Sequence, residues 1–465
     1  MTTTRFRWAT SVRLFGGTVA AVALVAGVVT AAAVTWPAHD REPVSVVATP
    51  APSESVVACP GGLLTIGRDA SLAGSVSVVA DPATTVGTAA GQPEPAPEVL
   101  TVPGLEASAP AAFTAPPAGE TRTDLAAASS ASVTAEDLSG FAAASCAPPL
   151  LESWIVGGAT TTGSSGLLLL ANPGAVPATV QITAYGAGGP QTPPAGQLIV
   201  APGTQRVVPL AGLVRGEQSP VLHLVSTGAP VQAALQTSIT RTLLAGGVDQ
   251  VGAVIAPDTE LVFPGVAVSA PPGVEGASDP TAVVRLLAPS TATPATVSVR
   301  SGDREVFTRE VPLEAGLPLE LDLGALAVGR YSVHVAADAA VVGAVWTTTG
   351  FAEGDDFAWH TPAPRLEGPA LVAVAAGPSP ALTLAATGDE AVTVTITADA
   401  GAGAAQEITV PAGGTARVDV PEGSLYRIDA AEPIRAAVGY AGAGALAAYP
   451  VWPADAAASP LIVHP

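Results

Sequence analysis

One pattern recurs three times along the chain and limits what it can fold into. Residues 167–186 read LLLLANPGAVPATVQITAYG, residues 283–302 read VVRLLAPSTATPATVSVRSG, and residues 381–400 read ALTLAATGDEAVTVTITADA. Each is an apolar run, a short turn, and a run in which apolar and polar residues alternate. Alternation sends successive side chains to opposite faces, so the second run of each copy is a half-buried β-strand. Pro177-Ala178-Thr179-Val180 and Pro294-Ala295-Thr296-Val297 match residue for residue, 117 positions apart. A spacing that long belongs to repeated domains, beyond the period of a solenoid.

Further elements follow each copy in the same order. LIVAPGTQRVVPL (198–210), VPLEAGLPLELDL (311–323) and ITVPAGGTARVDV (408–420) read as hairpins with Pro/Ala/Gly turns. VLHLVSTGAPVQAALQTS (221–238), YSVHVAADAAVVGAVWTT (331–348) and YRIDAAEPIRAAVGYAG (426–442) read as another strand, turn and strand. A Pro-rich passage closes each unit, at 253–265, 357–371 and 447–463. Proline cannot donate to a strand ladder, so these passages read as crossovers to the next unit.

Composition agrees with many short strands. Gly 49 and Pro 45 make up about a fifth of the 465 residues, and charged residues only 12%. The expected fold class is all-β: tandem immunoglobulin-like or fibronectin-like β-sandwiches after one N-terminal transmembrane helix. The expected boundaries are a basic N-terminus over 1–13, a membrane anchor over 14–36, and a divergent β domain over 37–158. Three sandwich repeats over 159–265, 266–371 and 372–465 complete the chain.

The anchor follows from LFGGTVAAVALVAGVVTAAAVTW (14–36), which has no charge and is long enough to cross a bilayer. Arg5, Arg7 and Arg13 precede it and favour a cytoplasmic N-terminus, with Trp8 and Trp36 at its flanks. The reading is a single-pass membrane protein with its bulk outside the cytoplasm. The alternative is secretion after cleavage near Ala31-Ala32-Ala33. The net charge is −21 and all 18 basic residues are arginine. Such an acidic surface repels phosphate backbones, which argues against nucleic acid as a partner.

Within 37–158, strands are expected at 44–50, 56–67 and 75–81. Residues 88–132 are Ala/Pro/Ser/Glu-rich and read in part as a mobile loop. Thr134 with Asp137 fits the start of a short helix. APPLLESWIVGG (147–158) resembles the closing passage of a unit. Cys59 and Cys146 are the two cysteines, and in an oxidising compartment they most simply form a disulfide. A metal site or a reactive thiol pair is the weaker reading.

No nucleophile elbow, zinc signature or phosphate loop is present in the sequence. The five histidines are dispersed, and His223 and His334 occupy matching places in two repeats. Glu353, Asp355 and Asp356 in FAEGDDFAWH read as a solvated hairpin tip more readily than as a calcium loop. Trp346, Trp359 and Trp452 are the candidate glycan contacts, against the alternative of core or domain-junction packing. No catalytic residue, metal site or cofactor is expected, and the protein is read as a non-enzyme.

The anchor, CPGG at Cys59–Gly62, GFAAASC ending at Cys146, ESWIVGG (152–158), the LLLLANPGAVPATVQITAYG stretch and the closing AAYPVWP and PLIVHP together resemble an actinobacterial secreted-protein family, domain of unknown function 5719. The resemblance covers residues 45–465. It implies an envelope location, a β-rich fold and, by association, envelope polysaccharide; it implies no catalytic residue. The expected function is a membrane-tethered extracytoplasmic scaffold or interaction protein of the bacterial cell envelope. The alternative is a carbohydrate-binding accessory protein for envelope polysaccharide assembly. Expected partners are the membrane, through the helix, and an envelope glycan or protein.

Overall fold

The structure is a computed structural model that describes residues 4–33, 46–48, 52–67, 75–105, 109–119, 121–242, 244–270, 280–454 and 461–463. The chain forms two compact units, one of Met1–Thr49 with Pro460–Pro465 and one of Pro50–Ser459.

In the first unit, the helix Thr4–Ala33 contains an apolar stretch, Val12–Ala31, of mean hydropathy 2.1, whose one charged residue is Arg13 near its start. Its apolar side chains face outward all round: Phe15 is 75% exposed and Leu24 70%. A helix apolar on every face suits a lipid surround. Thr18 and Thr30 donate their hydroxyls to the carbonyls of Leu14 and Ala26, four residues back, so neither hydroxyl needs water. Residues 34–36 of the expected span, Trp36 among them, lie outside the described residues. Val46–Ala48 pairs antiparallel with Leu461–Val463.

The unit Pro50–Ser459 is all-β. In its first full sandwich the strands run Glu152–Val156, Ser164–Asn172, Ala178–Gly186, Gln197–Val200, Thr204–Pro209, Val221–Thr227, Gln232–Arg241 and Leu244–Gly252. One sheet has the order first, sixth, third, fourth; the other has fifth, second, seventh, eighth. The alternation expected in 178–186 is real: Val180, Ile182 and Ala184 are buried and Gln181 is exposed. Asn172 ends the strand before it, donating to Val176 and Val200 carbonyls and accepting from Gly174 N–H. The third sandwich, Ala370–Ala373 through Ala445–Pro450, repeats the same order. In the second, the sixth and seventh strands are fused into one 20-residue strand, Gly329–Thr348, which passes from one sheet to the other. The second–fifth and third–sixth neighbours match the immunoglobulin B–E and C–F pairs. The edges are exchanged, with the first strand beside the sixth and the seventh beside the second.

Residues 52–147 form a reduced copy. Ser55–Ala58, Ala111–Ala115 and Ala96–Val99 pair in the order first, sixth, third; Ala83–Thr88, Leu125–Thr134 and Ser139–Cys146 pair as second, seventh, eighth. Among the described residues no fourth or fifth strand is present, and the hairpin of Leu63–Ile66 with Val76–Ala80 is inserted. Residues 88–132, expected in part as a loop, thus carry three of these strands. Their alanine-rich faces pack closely enough to bury Ala112, Ala115 and Ala128 completely. The short helix expected from Thr134 is absent: 135–138 is a turn between two strands, with Ala135 N–H donating to Leu138 O. The Cys59–Cys146 disulfide forms, and joins the end of the first strand to the end of the eighth.

The Pro-rich passages at 253–265 and 357–371 lead, as expected, into the next sandwich, but they already contain the start of its first strand. Glu152–Val156, Asp258–Val268 and Ala370–Ala373 are each the edge strand that opens the following sandwich. The sequence boundary at 158 therefore falls just behind that strand, and those at 265 and 371 fall within it. Pro264 sits where the Asp258–Val268 register slips, between Phe263 and Val266, a place that spares it a ladder bond.

The repeats close into a ring. The eighth strands, Ser139–Cys146, Leu244–Gly252, Phe357–His360 and Ala445–Pro450, pack each on the next, and the last packs back on the first. Asp356 lies where they converge. Its Oδ2 accepts from Phe141 N–H at 3.0 Å and Leu446 N–H at 3.2 Å, and its Oδ1 accepts from Val248 N–H at 3.1 Å. The N–H of Phe357 also reaches this carboxylate. These four amides come from matching places in the four units. Before them stand Gly140, Gly247, Asp356 and Ala445. A Cβ at Gly140 or Gly247 would lie 2.6 Å from Asp356 Oδ1, so those two repeats have no room for a side chain beside it.

Candidate functional site: a cleft between the first two sandwiches

Trp346 and Trp359 are brought together. The hairpin of Gly329–Thr348 with Phe357–His360 sets them directly opposite each other. Trp359 is 6% exposed, packs into the first sandwich's core, and has the Arg285 guanidinium 4.6 Å from its ring centre. Trp346 is half-buried and leans on Phe357 at 6.2 Å. Trp346 thus keeps an open face on a cleft of about 450 Å³ between the two sandwiches, shared with Phe351, Thr237 and Glu320. Trp452 is elsewhere: its Nε1 donates to Ser145 Oγ at 3.1 Å, and it lines a separate groove of about 240 Å³ beside Arg435.

Arg285 fixes the floor of the cleft. It interrupts the apolar strand Ala282–Leu287, and its guanidinium crosses to the neighbouring sandwich. There Nη1 donates to Gly158 O at 2.8 Å and Pro220 O at 3.0 Å, and Nη2 to Gln218 O at 3.1 Å. Nε and Nη2 both reach Glu320 Oε1, at 3.0 and 2.7 Å. Burial lowers the Arg285 pKa, and Glu320 opposes that push. Arg241 covers Phe351 at 4.8 Å on the other wall. A hydroxyl-lined hollow with one aromatic wall and a fixed carboxylate suits recognition of a polar small ligand.

The other sequence candidates separate. Asp356, read as part of a solvated tip, is fully buried on the axis. Burial pushes its carboxyl up to about 7, while the N–H groups of Phe141, Leu446, Phe357 and Val248 hold it down. Asp355 bonds Thr349 and the Ala352 N–H within its own loop. Among the described residues no cluster of His, Cys, Asp and Glu could hold a metal ion. His223 and His334 do occupy matching sixth strands, with different tasks. His223 bonds Glu152 at 2.8 Å and stacks on Trp154, whereas His334 meets Ser332 and is pushed down to about 4 by burial and Arg300. His39 and His464 lie outside the described residues.

Sequence reading passed over Arg285, Glu320, Thr237 and the axial place of Asp356. A signal for two of them was present: a lone charge inside AVVRLL, and an acid where the other repeats carry glycine or alanine.

Fold and site together define a ring of β-sandwiches with an open cleft, preceded by an apolar helix that fits a signal anchor or a signal peptide. The chain belongs to the family of unknown function 5719, whose model matches residues 101–421. Among curated proteins none matches the chain.

Proposed function

We propose that the protein is a non-enzymatic scaffold or interaction protein of the bacterial cell envelope, held by its N-terminal helix with Pro50–Ser459 outside the cytoplasm. The observation that carries this reading is ring closure on Asp356, which makes the repeats one body with a fixed outer surface. Polar bonds also span the junctions. Gln250 reaches Gly61 O, Arg285 reaches the first sandwich, Arg435 joins Ala363 O and Glu260 to the third, and Arg427 meets Asp124. The disulfide suits an oxidising compartment. Fractionation with an antibody to the C-terminal sandwich, and a pull-down of the full chain from envelope extract, test it. The expected outcome is full-length chain in the membrane with a discrete envelope partner; a shorter chain in the medium points to cleavage instead, and recovery in the cytosol rejects the reading.

The second reading is a carbohydrate-binding accessory protein for envelope polysaccharide assembly. The half-buried ring of Trp346 on the cleft favours it, since an aromatic face beside hydrogen-bonding groups suits a sugar ring.

A further inference from the structure

We infer that the cleft between the first two sandwiches binds an uncharged glycan segment, with Trp346 stacked on a sugar face and Thr237 and Glu320 meeting its hydroxyls. The inference rests on the carbohydrate reading above and narrows it to a place and a ligand class.

The first support is room. About 450 Å³ lies within the range of small-ligand sites, and Trp346 and Phe351 supply apolar wall. The second support is a set of polar atoms that the fold leaves unmet. Thr237 is 2% exposed, yet its hydroxyl has no hydrogen-bond partner among the described residues. On the cleft wall, this hydroxyl is open to a ligand group or to water. Glu320 spends only Oε1 on Arg285, and Oε2 has no partner among the described residues. Thr162, Thr240 and Gln218 add side chains at the rim.

The third support concerns charge. Every N–H of Arg285 points at Glu320, Gly158, Pro220 or Gln218, so none is left for an anion. Arg241 lies over the Phe351 ring and its Nη1 reaches Gly246 O. Glu320 Oε2 presents negative charge to the cleft, on a chain of net charge −21. A carboxylate-bearing sugar would meet that charge, whereas a neutral sugar hydroxyl donates to it.

The test uses the full chain in detergent micelles against an array of neutral oligosaccharides and their uronate-bearing counterparts. The expected result is retention of neutral oligosaccharides. Trp346→Ala should weaken it at least tenfold, and Thr237→Val severalfold. Thr237→Val is nearly isosteric and removes a hydroxyl that bonds no other described residue, so it should leave the melting temperature unchanged. A fall in binding with that thermal behaviour supports a ligand contact. Binding of uronate-bearing sugars alone overturns the inference and leaves the carbohydrate reading standing. Undiminished neutral binding in both variants puts the sugar elsewhere and also overturns it. Retention of no oligosaccharide sinks the inference and the carbohydrate reading together.

Discussion

The axis of the ring and the cleft on its flank both bury an ionisable group where repeats meet, and they differ in what remains unpaired. On the axis, the Asp356 carboxylate collects backbone N–H groups from every repeat, and glycine in two of the others clears its place. In the cleft, the Arg285 guanidinium is equally well met, but its partner Glu320 keeps one oxygen open and Thr237 keeps a hydroxyl. A fully met polar centre serves closure. A partly met one beside a hollow leaves hydrogen-bonding capacity for something outside the chain.

The largest effect should come from breaking the axis. Asp356→Ala leaves four inward N–H groups without an acceptor, and each buried orphan costs about 1–3 kcal/mol. The variant should lose about 4 kcal/mol or more in urea unfolding. Parity with the wild type would mean that the ring does not depend on this carboxylate.

Arg285→Ala comes next. It strips the Gly158, Pro220 and Gln218 carbonyls of their donor, a loss of about 3 kcal/mol on the scale of broken buried charge contacts. The same denaturation series reads it. Arg285→Ala should also loosen the Trp359 indole, visible as a red-shifted emission.

A smaller effect concerns pH. The folded Asp356 carboxyl sits near 7, above the usual 3.8, so the folded state holds its proton more tightly than the unfolded chain. Stability from this group is then fully present below about pH 4 and declines as pH rises through 7. Asp356→Asn should flatten that slope between pH 4 and 7. An unchanged slope would assign the pH dependence to other groups.

Much of this architecture was legible in the sequence. Alternation in 178–186, 294–300 and 392–398 marks the third strands of three sandwiches, and the two cysteines pair. The region 37–158 was legible as a divergent unit, but the strands within 88–132 were obscured because alanine supplies their buried faces, and alanine carries little hydrophobic contrast. Edge strands containing Pro257 or Pro264 nearby read as connections because proline is a ladder breaker everywhere except at an edge. Ring closure had no local periodic signal. The contact of 139–146 with 445–450 spans most of the chain, and only the acid of GDDF, set against the glycines of SGF and GGV, betrays it. Trp346 and Trp359 stand on one hairpin, so their pairing was within reach of the sequence; the hollow beside them depends on Arg285 crossing between sandwiches and was not.

The central claim is that four repeats form one body locked on a single carboxylate. Native-state hydrogen exchange at the Phe141, Val248, Phe357 and Leu446 amides tests it most directly. Exchange of all four at one common rate, the slowest in the protein, and a joint acceleration in Asp356→Ala is the predicted result. Four separate rates, each following its own sandwich and indifferent to Asp356, would contradict it.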